Sequence, residues 1–174
     1  LSRKKNHFGF PKKSIKCVLD YSNISINDID KIAMSSKHFL PAYYYVSRNS
    51  QLSIRDYWKE QTDYWYPKLI QNKNPKYLEV LSHRVNKDEF PYDETLIKNE
   101  SDTEGMWLAR VKHLSETLKI DESKITHHDH HKCHAYYGYM TSKLRNKPLL
   151  VYTMDGSGDG ANGTVSIGNP GEPL

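Results

Sequence analysis

An α/β fold is predicted by three stretches of this sequence. Residues 11–35 read as helix then strand, residues 124–143 as strand then helix, and residues 149–167 as a strand entering a glycine-rich turn. Alternation of the two periodicities along one chain is what an α/β architecture requires.

The 174 residues carry 25 basic and 21 acidic side chains, a formal charge of +4. That length suits one domain of ordinary size, or part of a larger one. With 37% hydrophobic residues and a mean hydropathy of −0.79 the chain is polar, so its 13 Tyr and 3 Trp must supply bulk for a core. No apolar run approaches the roughly 18 residues of a membrane helix. Arg3, Lys4 and Lys5 lead into Asn6-His7-Phe8-Gly9 and not into an apolar signal segment, so no membrane association is expected. Two cysteines, Cys17 and Cys133, cannot make a disulfide framework, and a reduced, cytoplasmic setting is expected. A charge of +4 is too small to imply nucleic-acid binding by itself. The chain starts at Leu1 without a methionine and reads as a piece of a longer protein.

Taken in order, Pro11 opens the first helix, where a fixed φ and a missing N–H suit the first turn. Ile15, Val18, Leu19 and Ser22 follow as a stripe at helical spacing. After a connector at 24–30, residues 31–35 (Lys-Ile-Ala-Met-Ser) read as a short buried strand. Residues 36–100 are crowded with rings: Tyr43, Tyr44, Tyr45, Tyr57, Trp58, Tyr64, Trp65 and Tyr66. A helix within 51–70 would turn Ile54, Trp58, Trp65 and Leu69 inward. Such rings fit a core better than a stacking platform for bases or sugars. With breaks at 72–75 and at Phe90-Pro91, the stretch 36–100 is expected to be a variable insertion. Ser101-Asp-Thr-Glu104 has the form of a capping box opening a helix whose apolar face includes Met106, Ala109 and Leu114. Lys119 closes it, and His113 on that helix reads as a packing or surface residue.

The chemistry begins at residue 124. Five of the nine histidines fall between His127 and His134, more than composition accounts for. A helix running from this cluster to about Lys143 places His130 and His134, four apart, on one face. Neutral imidazole is the commonest protein ligand for Zn, Fe or Ni, so the pair is a candidate metal site. His127 and His131 form a competing pair that crosses the strand–helix junction. Cys133 points off the face and is left out. Downstream, residues 149–154 are a strand ending at Asp155-Gly-Ser-Gly-Asp-Gly160, with a return strand at 164–167. Glycines allow close approach of backbone N–H groups to oxyanions, and an aspartate at a strand end can bind a metal. Together these suggest a nucleotide. An EF-hand is rejected, since its twelfth position would be Ser166, where a bidentate Glu is needed.

Asp129-His-His-Lys-Cys-His-Ala135, followed by a strand into Asp155-Gly-Ser-Gly-Asp159, resembles the O-carbamoyltransferases of the nodulation and antibiotic-tailoring type. There an HHxxHA motif precedes a DGxGD hairpin at about this interval. Leu1-Ser-Arg-Lys-Lys5 and Phe10-Pro11 are similar to the segment that follows the first strands of that family, where an R-x-K and an F-P recur. The resemblance covers residues 1–35 and 100–174. It implies an actin/Hsp70/sugar-kinase-like (ribonuclease H-like) α/β domain, incomplete in this chain, with residues 1–174 a fragment of one such domain. It also implies that carbamoyl phosphate and ATP form a carbamoyl-adenylate, from which the carbamoyl group passes to the hydroxyl of a small-molecule acceptor.

On that resemblance His130, His134 and Asp155 are the ligands of a divalent metal, with Fe, Zn and Mg all open. Gly156, Ser157, Gly158 and Asp159 form the phosphate-facing turn, which Asp155 adjoins, and Arg3 and Lys5 approach the anionic intermediate. His127, His128 and His131 are candidates for the general base that the acceptor hydroxyl needs, with His131 taken as the catalytic residue. Lys132-Cys133 and Tyr136-Tyr137-Gly138 depart from the family's pattern and would alter a pocket wall without removing a ligand. The remaining domains of a full-length chain are expected partners, nucleic acid is not, and the isolated 174 residues are expected to turn over little. The alternatives are a tRNA threonylcarbamoyl transferase-like enzyme of the same superfamily, and a non-enzymatic module binding metal or nucleic acid.

Overall fold

The computed structural model describes residues 10–88 and 90–174. It is a mixed α/β structure that divides into two compact units: the described residues up to Ile29 with Leu40–Ile120, and Asp30–Phe39 with Asp121–Leu174. The stretch between the two parts of the second unit contains most of the expected insertion and carries the helix that follows it.

The first unit is helical. Helix α1 (Lys12–Ser22) has Pro11 just before it and ends at Asn23, whose φ of 51° is left-handed. Ile15 and Leu19 are half-buried, but Val18 is exposed, so the expected stripe is narrower. Helices α2 (Pro41–Tyr45) and α3 (Arg48–Gln51) precede α4 (Ile54–Lys59), which runs through a π-helical segment, Glu60–Trp65, into α5 (Tyr66–Leu69). After α6 (Tyr77–Val80), the long helix α7 (Thr103–Leu118) completes the unit. Ala42, Val46, Tyr64, Tyr77 and Leu81 form the core.

Of the residues expected to turn inward from α4 and its continuation, only Trp65 packs partly against the core. Ile54, Trp58 and Leu69 are 79%, 68% and 69% exposed, while Asp56, Glu60 and Tyr64, four residues apart, are buried. A charged face is buried only where partners meet it, and here they do. Arg48 grips Glu60 with two N–H···O bonds (2.7 and 3.0 Å), and the Tyr77 hydroxyl donates to the same carboxylate at 2.7 Å. Asp56 accepts from Arg84 Nε at 2.9 Å and from the Ser53 hydroxyl at 2.7 Å, and lies 2.7 Å from His83 Nε2. Apart from Ser53, which caps the helix three residues before Asp56, those partners come from elsewhere in the chain, so periodicity could not show them. Of the aromatic run, Tyr45 and Tyr64 fill the core as expected and Trp58 and Tyr66 do not.

Helix α7 is capped by Asp102, which accepts from Gly105 N–H at 2.9 Å, and not by the Ser101–Glu104 box. It buries Met106, Ala109 and Leu114 and ends, as expected, at Lys119, which takes a left-handed φ of 60°. His113 packs edge-on against Phe10 and Tyr92.

The second unit holds both sheets. Strand β1 (Ile32–Ser35) pairs in parallel with β2 (Ile125–His128), Met34 opposite His127 and Ser35 opposite His128. β1 is a short strand as expected, but it alternates half-buried and exposed residues and so is only partly buried. Helix α8 (His130–Thr141) follows β2 directly, with Asp129 as its cap accepting from Lys132 N–H at 2.8 Å. Strands β3 (Leu149–Gly158) and β4 (Ala161–Gly168) make an antiparallel hairpin against which α8 packs. Only Asp159 and Gly160 form its turn, with φ of 49° and 83°, the type I′ geometry that matches strand twist. The ladder slips between Met154 and Gly158, and Asp155, Gly156 and Ser157 bulge from it.

Two outcomes test the buried polar face. Arg48→Ala leaves the Glu60 carboxylate wholly buried without its cation and is expected to cost about 3 kcal/mol of unfolding free energy in urea titration. Burial would raise the Asp56 carboxyl, but bonds from Ser53, Arg84 and His83 hold it well below the usual carboxylate range. Its contribution is therefore present above about pH 4 and lost as pH falls further. Asp56→Asn should flatten the fall of the urea midpoint below that pH.

Candidate metal centre

Two side chains on α8 and one on the β3 bulge meet at a point. His130 and His134 share a helix face because they are four residues apart, and the interrupted ladder turns Asp155 toward them. His130 Nε2 lies 2.7 Å from Asp155 Oδ2 and 3.1 Å from His134 Nε2, and His134 Nε2 lies 3.4 Å from the same carboxylate. One ligand atom from each lies within 4.8 Å of the others. Donors about 2.0–2.1 Å from a tetrahedral Zn²⁺ stand about 3.3 Å apart, so this spacing fits a first-row divalent ion with little rearrangement. Two imidazoles and a carboxylate also suit Zn or Fe chemically. Hydrogen bonds from His130 and from Gly156 N–H, with the nearby imidazoles, keep the Asp155 carboxyl below its ordinary range, in the form a cation needs.

His130 is held on three sides. Its Nδ1 lies 2.9 Å from Ser36 Oγ, its backbone N–H donates to Asp159 Oδ2 at 2.9 Å, and Gly158 lies against its ring. A Cβ at Gly158 would occupy the space of the imidazole. His134 is 53% exposed in its side chain.

Asp159 sits at the turn but faces inward. Its carboxylate accepts from Lys37 N–H (2.6 Å), His38 N–H (2.8 Å) and His130 N–H, and lies 3.2 Å from His127 Nε2. Burial alone would raise its pKa; these bonds outweigh burial and hold it down to about 2. It ties the segment after β1 to the start of α8, a geometry that a phosphate-facing role for Asp159 does not fit. Gly156 and Ser157 are exposed on the bulge.

His131, expected as the general base, needs the same kind of correction. It is fully buried, with Nδ1 3.0 Å from Thr153 Oγ1 and Nε2 2.9 Å from the Ala161 carbonyl. The carbonyl only accepts, so Nε2 carries the proton and Nδ1 accepts from the threonine. Both nitrogens pin α8 to the hairpin, and no lone pair faces outward. His127 contacts Asp159, and His128 Nε2 lies 3.1 Å from Thr126 Oγ1. His127, His128, Lys132, Cys133 and Tyr136 line a cleft of about 710 Å³ with Asp129 and residues of β1. Arg3 and Lys5 lie outside the described residues.

Sequence reasoning missed Ser36. A serine in a loop far from the motif offers no signal unless the pairing of β1 with β2, which brings it to the start of α8, is known.

The family model described as carbamoyltransferase N-terminus matches residues 1–172. The chain belongs to that family. This carbamoyltransferase domain is thus a transferase domain, and the HHxxHA and DGxGD motifs stand within the matched residues. No curated protein and no solved structure gives a significant match to the chain. No helix among the described residues is long and apolar enough to cross a membrane.

Gly158→Ala should displace the His130 ring and weaken Zn²⁺ binding at least tenfold in calorimetric titration, while circular dichroism keeps its helical signal.

Proposed function

We propose that His130, His134 and Asp155 hold a divalent cation at which this carbamoyltransferase domain handles a carbamoyl-adenylate, made from ATP and carbamoyl phosphate, for transfer to a substrate hydroxyl. The observation that carries this reading is the convergence of three ligand atoms within 4.8 Å at the mouth of a glycine-rich hairpin. The cation would neutralise phosphate charge and polarise the carbamoyl carbonyl.

The chain's own residues divide the remaining work. His130 and His134 present Nε2 from one helix face, and Asp155 closes the set from the strand. Gly156 and Ser157, exposed where the ladder is interrupted, offer an approach for phosphate oxygens with no side chain larger than a hydroxymethyl in the way. His131 keeps the hairpin at its distance from α8 through Thr153 and the Ala161 carbonyl. The parallel β1–β2 pair, leading directly into α8, supports an actin-like arrangement for the domain. A cytoplasmic setting agrees with the two free cysteines.

Replacing His130 and His134 together by Ala should lower Zn²⁺ affinity more than a hundredfold and, with it, the affinity for ATP, both read by calorimetric titration. Unchanged ATP affinity in the double variant overturns the shared site.

A further inference from the structure

Ser36 lies one residue beyond β1 and takes a left-handed φ of 70°, a conformation that costs any residue with a Cβ. It is 8% exposed. Its N–H donates to the His128 carbonyl at 3.2 Å, which extends the β1–β2 ladder by one step and brings the serine level with the end of β2. From there its hydroxyl reaches His130 Nδ1 at 2.9 Å.

Both sides of that contact are anchored on one carboxylate. Asp159 binds the N–H groups of Lys37 and His38, immediately after Ser36, and the N–H of His130. The hydroxyl and the imidazole therefore cannot drift apart without breaking bonds to a buried charge. Among the described residues, His134 makes its hydrogen-bonding and ionic contacts only with His130 and Asp155. The two histidines are thus unequal: one is fixed from outside the site and the other is not.

We infer that Ser36 is a positioning residue for His130. Its hydroxyl accepts the Nδ1 proton, so that a cation bound beside Asp155 and His134 would meet the Nε2 lone pair, and it is itself set by the Asp159 clamp. The inference rests on the cation site proposed above. A hydrogen bond on the far nitrogen of a ligating imidazole is what orients the ring and raises its basicity, and its loss lowers metal affinity about 10- to 100-fold. The left-handed backbone at Ser36 is the strain that this placement requires.

The test uses the 174-residue chain and metal salts alone. Glycine adopts positive φ freely, so Ser36→Gly removes the hydroxyl while relieving the backbone. Zn²⁺ affinity by calorimetric titration should fall about 10- to 100-fold, with the thermal midpoint unchanged or raised. The visible spectrum of the Co²⁺-loaded chain should shift as the His130 ring loses its orientation. Ser36→Ala, which keeps the backbone demand of serine, should show the same loss of affinity. Ser36→Asn, whose side-chain oxygen also accepts and which tolerates left-handed φ, should recover part of it. Wild-type Zn²⁺ affinity and Co²⁺ spectrum in folded Ser36→Gly and Ser36→Ala overturn the inference and leave the cation site standing. A wild-type chain that does not retain Zn²⁺ overturns the cation site itself, before any variant is compared.

Discussion

Four polar groups converge on the carboxylate of Asp159, and the geometry of the second unit follows from that convergence. A buried carboxylate is stable only when donors replace the water it has lost. Three of the donors are backbone N–H groups, from Lys37, His38 and His130, which belong to a loop after one strand and to the start of a helix. The acceptor belongs to a hairpin turn. Segments separated by more than a hundred residues are thereby held to within hydrogen-bond length of each other. The type I′ turn matters here because it places an aspartate at the inward-facing position and leaves the glycine to take the larger positive φ.

The candidate metal centre inherits this order unequally. His130 is fixed at its backbone by Asp159, at Nδ1 by Ser36 and across its ring by Gly158. Only Nε2 remains to point at Asp155 and His134. Asp155 stands on an exposed bulge and His134 on an exposed helix surface, where both are able to adjust to a ligand. One rigid donor and two adaptable ones suit the proposed site, which would also admit phosphate oxygens. His131 lies next in sequence but performs a separate task, since its two nitrogens join helix to hairpin beneath the site.

The first unit shows the same principle without a ligand. Asp56 and Glu60 are buried because Arg48, Arg84, His83, Ser53 and Tyr77 surround them, and the apolar side chains of the same helical stretch face outward in consequence. Burying a paired charge fixes which way a helix is rotated, since an unpaired one would be costly at any other angle. Tyr77 serves two ends, packing on Tyr43 and Tyr64 while donating to Glu60.

Local pattern alone was enough for much of this. Four-residue spacing put His130 and His134 on one face, and the aliphatic run and its glycines declared a hairpin, while carbamoyl transfer was suggested only by the motifs' resemblance to a known family. These properties depend on neighbours in the chain, and helical and strand geometry are set locally. What only the tertiary structure decided was which groups lose their water and what then meets them. The inward rotation of Asp56 and Glu60, the burial of His131, the inward turn of Asp159 and the reach of Ser36 to His130 all depend on partners distant in sequence. Periodicity assigns charged and polar residues to the surface by default, and it has no way to register a donor supplied from another strand, so it passed over Asp56, Glu60 and Ser36.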